Sequence, residues 1–374
     1  MKKVGILALA TPGHGGTFQY TLSMINALKL LDSVQCEIFT TKNNREYDAF
    51  LLPVNRLPGS LRIFLSLITF RAAARKKDAL FSQMDMVISP IYSTYLLATH
   101  RPFIFTLHDL QEKHYPQNFS LMQRLWRHVT NQFLITKAAA VICESNYVKQ
   151  DIVKFFSPKE DKIFVVPAPP AISQQVSEYS MEQLAEIRKK YSLPMEYLFY
   201  PAQFWPHKNH HRLIQAFSRI QQKFPGCSLV LTGKKRDEYR KIFDLIHELG
   251  IEDKVIHIEH VEQADLAVLY QLATVVVIPT LFESISIPAY EAFTFGAPVC
   301  ISNVVALPEQ VGDAGLLFAP TSVEDMISCI EKVLRSQSLR DELISKGKTR
   351  IAGLTHKNYA ERLQEIFDSV LVMH

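Results

Sequence analysis

Short apolar runs bounded by Gly, Pro, Ser or Asp recur along the whole chain. In the first half they are KVGILALA, VQCEIFT, DMVIS, PFIFTLHDL, AAVICE and KIFVVP. In the second half they are EYLFYPA, CSLVLTG, KVIHI, ATVVVIP, PVCIS and GLLFAP. Unbroken apolar runs suit strands covered on both faces, as in a parallel sheet. Between them lie longer stretches with helical spacing of apolar positions, among them TLSMINALKLL, Ser120 to Lys137, SNYVKQDIVKFF, MEQLAEIRKKY and KNHHRLIQAFSRIQQKF. Strand alternating with helix predicts an α/β, doubly wound parallel fold. The rhythm pauses at the Pro- and Ser-rich PAPPAISQQVSEYS and then restarts. At 374 residues the chain exceeds one ordinary core, so two α/β domains are expected. The expected bounds are 1–170, a linker over 171–180, 181–355, and a closing helical segment over 356–374.

The most informative stretch is PTLFESISIPAYEAFTFGAP, Pro279 to Pro298. A strand runs into a loop, the loop into a helix opened by Pro288, and Gly296 stops the helix, an order that Pro and Gly favour. Glu283 stands just past the strand, and Glu291 is placed in the first turn of the helix. In an open parallel sheet that edge is where ligands bind. Taken singly, Glu291 reads as a helix-dipole partner and Glu283 as a solvated loop acid. The pair together reads as a site.

The first strand leads into PGHGGTFQY, with Gly13, Gly15 and Gly16, and then a helix. Strand, glycine turn and helix suit close approach to a phosphate. The spacing is neither G-x-G-x-x-G nor a Walker loop, so neither a nicotinamide cofactor nor a triphosphatase is indicated. His108 and Asp109 stand at the end of an apolar strand, where a site residue would stand. Arg62, Arg71, Arg75, Lys76 and Lys77 follow apolar residues. That segment reads as a packing helix with cations in its last turn or as a membrane-surface helix, the first being favoured.

Composition narrows the class further. Hydrophobic residues make up 48% and charged residues 21%, ordinary for a globular protein. No uncharged apolar run reaches membrane-spanning length, and the N-terminal MKKVGILALA reads as a strand rather than a signal peptide. The five cysteines are scattered, which gives neither a disulfide framework nor a metal-binding spacing and points to a cytoplasmic location. Residues 1–170 carry 20 Lys+Arg against 12 Asp+Glu, a net +8 within a whole-chain +4. A basic first half is expected to meet something anionic.

Taken as a set, YPAQFWPHKNHHRLIQAF, HVEQADLAVLYQLATVVVIPT, FESISIPAYEAFTFGAPVCISN and ALPEQVGDAGLLFAP resemble the retaining glycosyltransferases of family 4, with the GT-B fold of two facing Rossmann-like domains. The resemblance spans nearly the full chain and is densest from Leu198 to Pro320. FTLHDL, KIFVVP and the glycine turn carry it in the first half.

The resemblance implies a metal-independent hexosyltransferase that uses a nucleotide-diphosphate sugar, a GDP- or UDP-sugar, with no further cofactor. Glu291 would hold the ribose hydroxyls. Glu283 and the backbone N–H groups of Ser284, Ile285, Ser286 and Ile287 would face the donor sugar. Lys208 would pair with the diphosphate, His108 would reach the donor sugar, and Gly15 and Gly16 would approach the phosphate or the acceptor. The final helix would pack back on the first domain. The chain departs from the family at Ala202 and Gln203, where Gly-Arg is usual, so one diphosphate charge is expected to be lost. Ser284 and Ser286 replace glycines, with their hydroxyls as expected extra donors. Ala168 and Pro169 stand where Asn-Gly is frequent.

The expected function is sugar transfer in the synthesis of a surface glycan of lipopolysaccharide, O-antigen or capsule type. The acceptor would be a glycan or lipid-linked, with peripheral contact at the inner face of an anionic membrane and no nucleic acid. The alternative is a catalytically silent GT-B subunit that binds a nucleotide sugar or a partner enzyme.

Overall fold

The computed structural model describes residues 1–11, 15–41, 49–52, 81–171 and 179–372. Gly13, the Arg62 to Lys77 segment and most of the expected linker lie outside the described residues. The chain divides into two compact units, Met1–Ala171 with Leu354–His374, and Ile172–Gly353.

The first unit is built on a seven-stranded sheet ordered β3-β2-β1-β4-β5-β6-β7. Its strands are β1 Lys2–Leu7, β2 Val34–Thr40, β3 Phe50–Leu51, β4 Met86–Ser89, β5 Phe103–Thr106, β6 Ala140–Cys143 and β7 Ile163–Val165. All neighbours pair in parallel. Its helices are α1 Gly16–Leu28, the one-turn α2 Gln111–His114, α3 Leu121–Lys137 and α4 Asn146–Phe156. Residues of β4, β5 and β6 are buried throughout, which is why these strands read as continuous apolar runs. Local chemistry sets the helix starts. Ser120 and Gln123 form a reciprocal capping box at α3, and the Ser145 hydroxyl accepts from the Val148 N–H at α4.

The second unit has a six-stranded parallel sheet ordered β10-β9-β8-β11-β12-β13. The strands are β8 Glu196–Pro201, β9 Cys227–Thr232, β10 Val255–Ile258, β11 Val275–Ile278, β12 Val299–Ser302 and β13 Gly315–Phe318. The helices are α5 Met181–Lys190, α6 His210–Lys223, α7 Tyr239–Glu248, α8 Gln263–Gln271, α9 Ile287–Phe295, α10 Leu307–Val311, α11 Val323–Arg335 and α12 Gln337–Ile351. Strand order reverses between β8 and β11, which lie side by side. In such a sheet the crevice beyond the carboxyl ends of those two strands is the ligand position.

The last helix, α13 His356–Val372, belongs to the first unit. Tyr359, Leu363, Ile366, Phe367 and Val370 join Tyr20, Met24 and Leu28 of α1 in one core. The Tyr359 hydroxyl donates to that of Tyr20 over 3.2 Å, and Lys2 pairs with Asp368 at 2.5 Å. One face of the first sheet is therefore covered by the far end of the sequence. Leu363 is fully buried there. Leu363→Ala is expected to cost about 2–5 kcal/mol in denaturant unfolding. A cost under about 0.5 kcal/mol would mean that this helix does not complete the core.

Candidate functional site

Two loops meet beyond β8 and β11 in the second unit. The first leaves β8 at Pro201 and turns through a 3-10 helix, Pro206–Lys208, into α6. Asn209 caps it with φ 59° and ψ 33°, left-handed backbone that Asn tolerates better than most residues. Its buried amide donates to the Pro279 carbonyl at 2.8 Å and the Pro320 carbonyl at 2.9 Å. The His207 carbonyl accepts from the Leu281 N–H at 2.7 Å and from the Thr280 hydroxyl at 3.1 Å. The two loops are thus bonded to each other by main chain as well as side chain.

That lacing brings Lys208 and Glu283 together. Lys208 Nζ donates to Glu283 Oε1 over 2.7 Å, with the two side chains 18% and 16% exposed. In an ion pair at a sheet's switch point the ammonium can be shared between its carboxylate and an arriving anion. Burial, with Lys208's charge second, pushes neighbouring His207 down to about 4, which keeps that imidazole neutral at physiological pH.

Glu291 sits deeper and differently from the expectation. The helix begins at Ile287, with no acid in its first turn, so Glu291 belongs to the second turn and is not placed as a dipole partner. It is 6% exposed and accepts from the Tyr270 hydroxyl over 2.6 Å. Burial pushes its carboxyl up to about 7, and the Tyr270 bond only partly offsets this. Such a group costs stability and stands ready to accept further hydroxyl donors.

Ser286 is a correction. Burial alternates along 282–287, with Phe282, Ser284 and Ser286 inward and Glu283, Ile285 and Ile287 partly exposed. Ser284 is 8% exposed and Ser286 fully buried. Ser286 takes φ −105°, and neither serine has positive φ, so glycine-like backbone is not required. The Ser286 hydroxyl is buried without a hydrogen-bond partner, and its N–H donates to Gln310 Oε1 at 2.8 Å while its carbonyl accepts from Gln310 Nε2 at 2.7 Å. Neither its hydroxyl nor its N–H is therefore presented as a donor. The period of two in the loop turns the serines inward.

Gln203 does not simply lose a charge. Its Oε1 accepts from Arg236 Nε at 3.0 Å and Trp205 Nε1 at 3.2 Å, and the Arg236 guanidinium lies 5.0 Å from the Trp205 ring centroid. Arg236 follows β9, whose loop closes on the β8 loop at Gly233. That glycine has φ 133°, and a Cβ there would stand 2.6 Å from the Ala202 carbonyl oxygen. The sequence signal was the cationic GKKR run just past a strand end. Tyr270 and Gln310 carried no comparable signal. A cavity of about 450 Å³ opens beside these loops among Trp205, Asn209, Arg212, Gln215, Glu238 and Leu281, and Lys208, Glu283 and Glu291 do not line it.

The first-unit candidates form their own cluster. Gly15 opens α1 with φ 59° and ψ −119°, and Gly16 is the first helical residue. On the same helix, Tyr20 stands edge-on to His108, with ring centroids 4.6 Å apart. His108 Nε2 donates to the Pro90 carbonyl at 2.9 Å, and Nδ1 meets Glu144 Oε2 at 2.8 Å. Burial lowers the imidazole's pKa, but the Glu144 bond and charge, helped by Asp109, more than offset this and raise it. To touch a sugar, His108 would have to exchange its Pro90 bond for that contact. Among the described residues no group of three His, Cys, Asp or Glu could hold a metal ion.

Known proteins match this arrangement. The pattern for "Glycosyl transferases group 1" matches residues 185–350, and that for "Glycosyltransferase Family 4" matches 14–169. The chain belongs to the group 1 glycosyltransferases of the family 4 type, with the GT-B fold. It is 29% identical over 241 residues to the serotype-specific mannosyltransferase WbdA of Escherichia coli, covering 63% of this chain and 29% of that protein. It is 22% identical to the O-antigen chain mannosyltransferase RfbU of Salmonella typhimurium, covering 88% and 90%. The chain thus spans under a third of WbdA's length. Among solved structures, HepE of Anabaena in complex with UDP and glucose superposes with a TM-score of 0.80 at 15% identity, covering 99% of this chain and 100% of that one. The lipopolysaccharide glycosyltransferase WaaG gives 0.77 at 16% identity, covering 97% and 99%.

The raised Glu291 pKa sets a pH test. Its folded value of about 7 lies above the ordinary 4.5, so wild-type stability falls as pH rises through that window and levels off above it. Glu291→Gln keeps an acceptor for Tyr270 without the charge. The variant-minus-wild-type difference is expected to grow by about 3 kcal/mol from pH 4.5 to pH 7, read by denaturation at each pH. A flat difference would show that the carboxylate is not penalised.

Proposed function

We propose that the chain is a retaining, metal-independent glycosyltransferase that moves a hexosyl group from a nucleotide-diphosphate sugar to a glycan or lipid-linked acceptor in surface-glycan synthesis. The observation that carries the reading is the Lys208–Glu283 pair at the β8/β11 switch point, beside the buried Glu291. The mannosyltransferase names of the relatives favour a hexosyl donor and O-antigen-type product. The UDP of the HepE complex supports a nucleotide donor, either a GDP- or a UDP-sugar.

In this reading Glu291 accepts the ribose hydroxyls, and Lys208, held by Glu283, meets the diphosphate. As the sugar–phosphate bond breaks, negative charge grows on the leaving diphosphate, and Lys208 stabilises it. Arg236, next to Gln203, adds a second cation on the same edge. The N–H groups of Ser284, Ile285 and Ile287 face the sugar. The first domain, 1–170 with 356–374 packed on it, serves the acceptor side through Gly15, Gly16 and His108, and 181–355 serves the donor. The protein works in the cytoplasm, with peripheral contact at an anionic membrane.

Lys208→Ala is expected to cut turnover by ~10²–10³, as removal of a charge-stabilising donor does. Normal turnover would overturn the site. In thermal-shift screening against UDP-, GDP-, ADP- and dTDP-sugars, one nucleotide class is expected to stabilise the wild type and not Glu291→Ala. Saturation at 100 times the dissociation constant corresponds to about 2.7 kcal/mol. Because hydroxyl donors favour the ionised carboxylate, donor binding near pH 7 is expected to release a proton in the wild type and not in Glu291→Gln. Calorimetry in buffers of different ionisation enthalpy reads this directly. Donor binding without transfer or hydrolysis in the presence of acceptor glycan would instead mark a silent subunit.

A further inference from the structure

Helix α3 carries apolar side chains on its outward face as well as on its inward one. Thr130, Asn131, Leu134 and Ile135 bury its inner side. Leu121, Leu125, Val129 and Phe133, spaced four residues apart, share the outer side and are 78%, 59%, 46% and 40% exposed. Met122, 66% exposed, lies beside them. Five of the thirteen exposed large apolar side chains among the described residues lie on this one helix, so they are a patch and not the ordinary scatter of single residues.

The border of the patch is cationic. The helix sequence, LMQRLWRHVTNQFLITK, contains no acid. Arg124 and Lys137 are exposed, and among the described residues neither enters an ion pair. Lys113 of α2 stands 3.1 Å from His128, and the two line a shallow hollow with Glu112, Leu121, Arg124 and Leu125. Arg127 is neutralised by Glu112 at 2.8 Å and lies 3.8 Å from Asp109, and Lys113 is held over the Phe155 and Phe156 rings, 5.5 and 5.6 Å from their centroids, so the exposed positive charge of the helix rests with Arg124 and Lys137. The helix is firmly seated, with its capping box closed by Ser120 and Gln123.

We propose that this face of α3 is the surface by which the protein lies on an anionic phospholipid bilayer. The apolar ridge enters the headgroup–acyl boundary while Arg124 and Lys137 meet lipid phosphates. Apolar residues rimmed by cations are what such an interface selects. A second copy of this chain is a poorer occupant. A two-fold contact through the helix would set its cations against the same cations with no acid of α3 to answer them. The inference rests on the peripheral-membrane part of the proposed function and names its surface. It does not depend on the Arg62 to Lys77 segment.

The test is flotation of the full chain with phosphatidylcholine vesicles, with and without phosphatidylglycerol, at low and high salt. The wild type is expected to float with the anionic vesicles at low salt and to be released by salt. The paired change Leu125→Gln with Val129→Gln is expected to lower vesicle affinity about tenfold or more. Its unfolding midpoint and nucleotide-sugar binding should match the wild type, because both side chains are exposed. Arg124→Gln is expected to weaken binding less and to flatten the salt dependence. Absence of wild-type binding at low salt overturns the peripheral-membrane reading, and this surface with it. Equal binding by wild type and the Gln pair leaves that reading standing and overturns the assignment to α3. Concentration-dependent dimerisation lost in the Gln pair, without vesicle binding, would make the face a contact between copies and overturns the proposal as well.

Discussion

The second unit's site depends on one amide. Asn209, in left-handed backbone, donates both N–H groups of its side chain to carbonyls that follow β11 and β13. Three loops are thereby tied at one point, and Lys208, the residue before it, is fixed against Glu283. Few side chains could do this. The residue must tolerate positive φ and also offer two N–H donors from a short stem, a combination that Asn supplies. The bonds from the Leu281 N–H and the Thr280 hydroxyl to the His207 carbonyl tie the same loops again. The Lys208 backbone is therefore set by the scaffold, and Glu283 holds the ammonium at the end of its stem, a placement that suits the proposed role.

Against this rigidity stands a cost. Glu291 is a buried carboxylate with one hydroxyl bond, and its pKa is raised to about 7. Ser286 keeps a buried hydroxyl without a partner, while Gln310 satisfies its backbone on both sides. Destabilising features gathered at one strand edge fit a site that gives up stability for readiness to bind.

The elements were legible because their physics is local. Strands covered on both faces read as apolar runs, and Ser120 and Ser145 announced the helices that they cap. The strand-end acids were legible because the switch-point rule turns sequence position into spatial position, whereas Lys208 was marked only by the family resemblance. What was not legible depends on meetings through space. Arg236 comes to Gln203 from a different strand's loop, and Tyr270 reaches Glu291 across two helices. Gln310 reaches back to a serine whose hydroxyl looked like a donor until the loop's alternation turned it inward. Glu291 was placed a turn too early because Pro288 looked like the first helical residue, whereas the helix begins at Ile287. The exposed ridge of α3 was not legible because periodicity shows which positions are apolar and not which of them the core leaves uncovered.

The central claim is that Lys208 and Glu283 act as one unit on the donor's diphosphate. A double-mutant cycle with Lys208→Met and Glu283→Gln, read by calorimetric donor binding and by turnover, tests it most directly. The account predicts strong non-additivity, the double variant losing little more than Lys208→Met alone, because the carboxylate works through the ammonium. Additive losses, or unchanged donor binding and turnover in Lys208→Met, would contradict it.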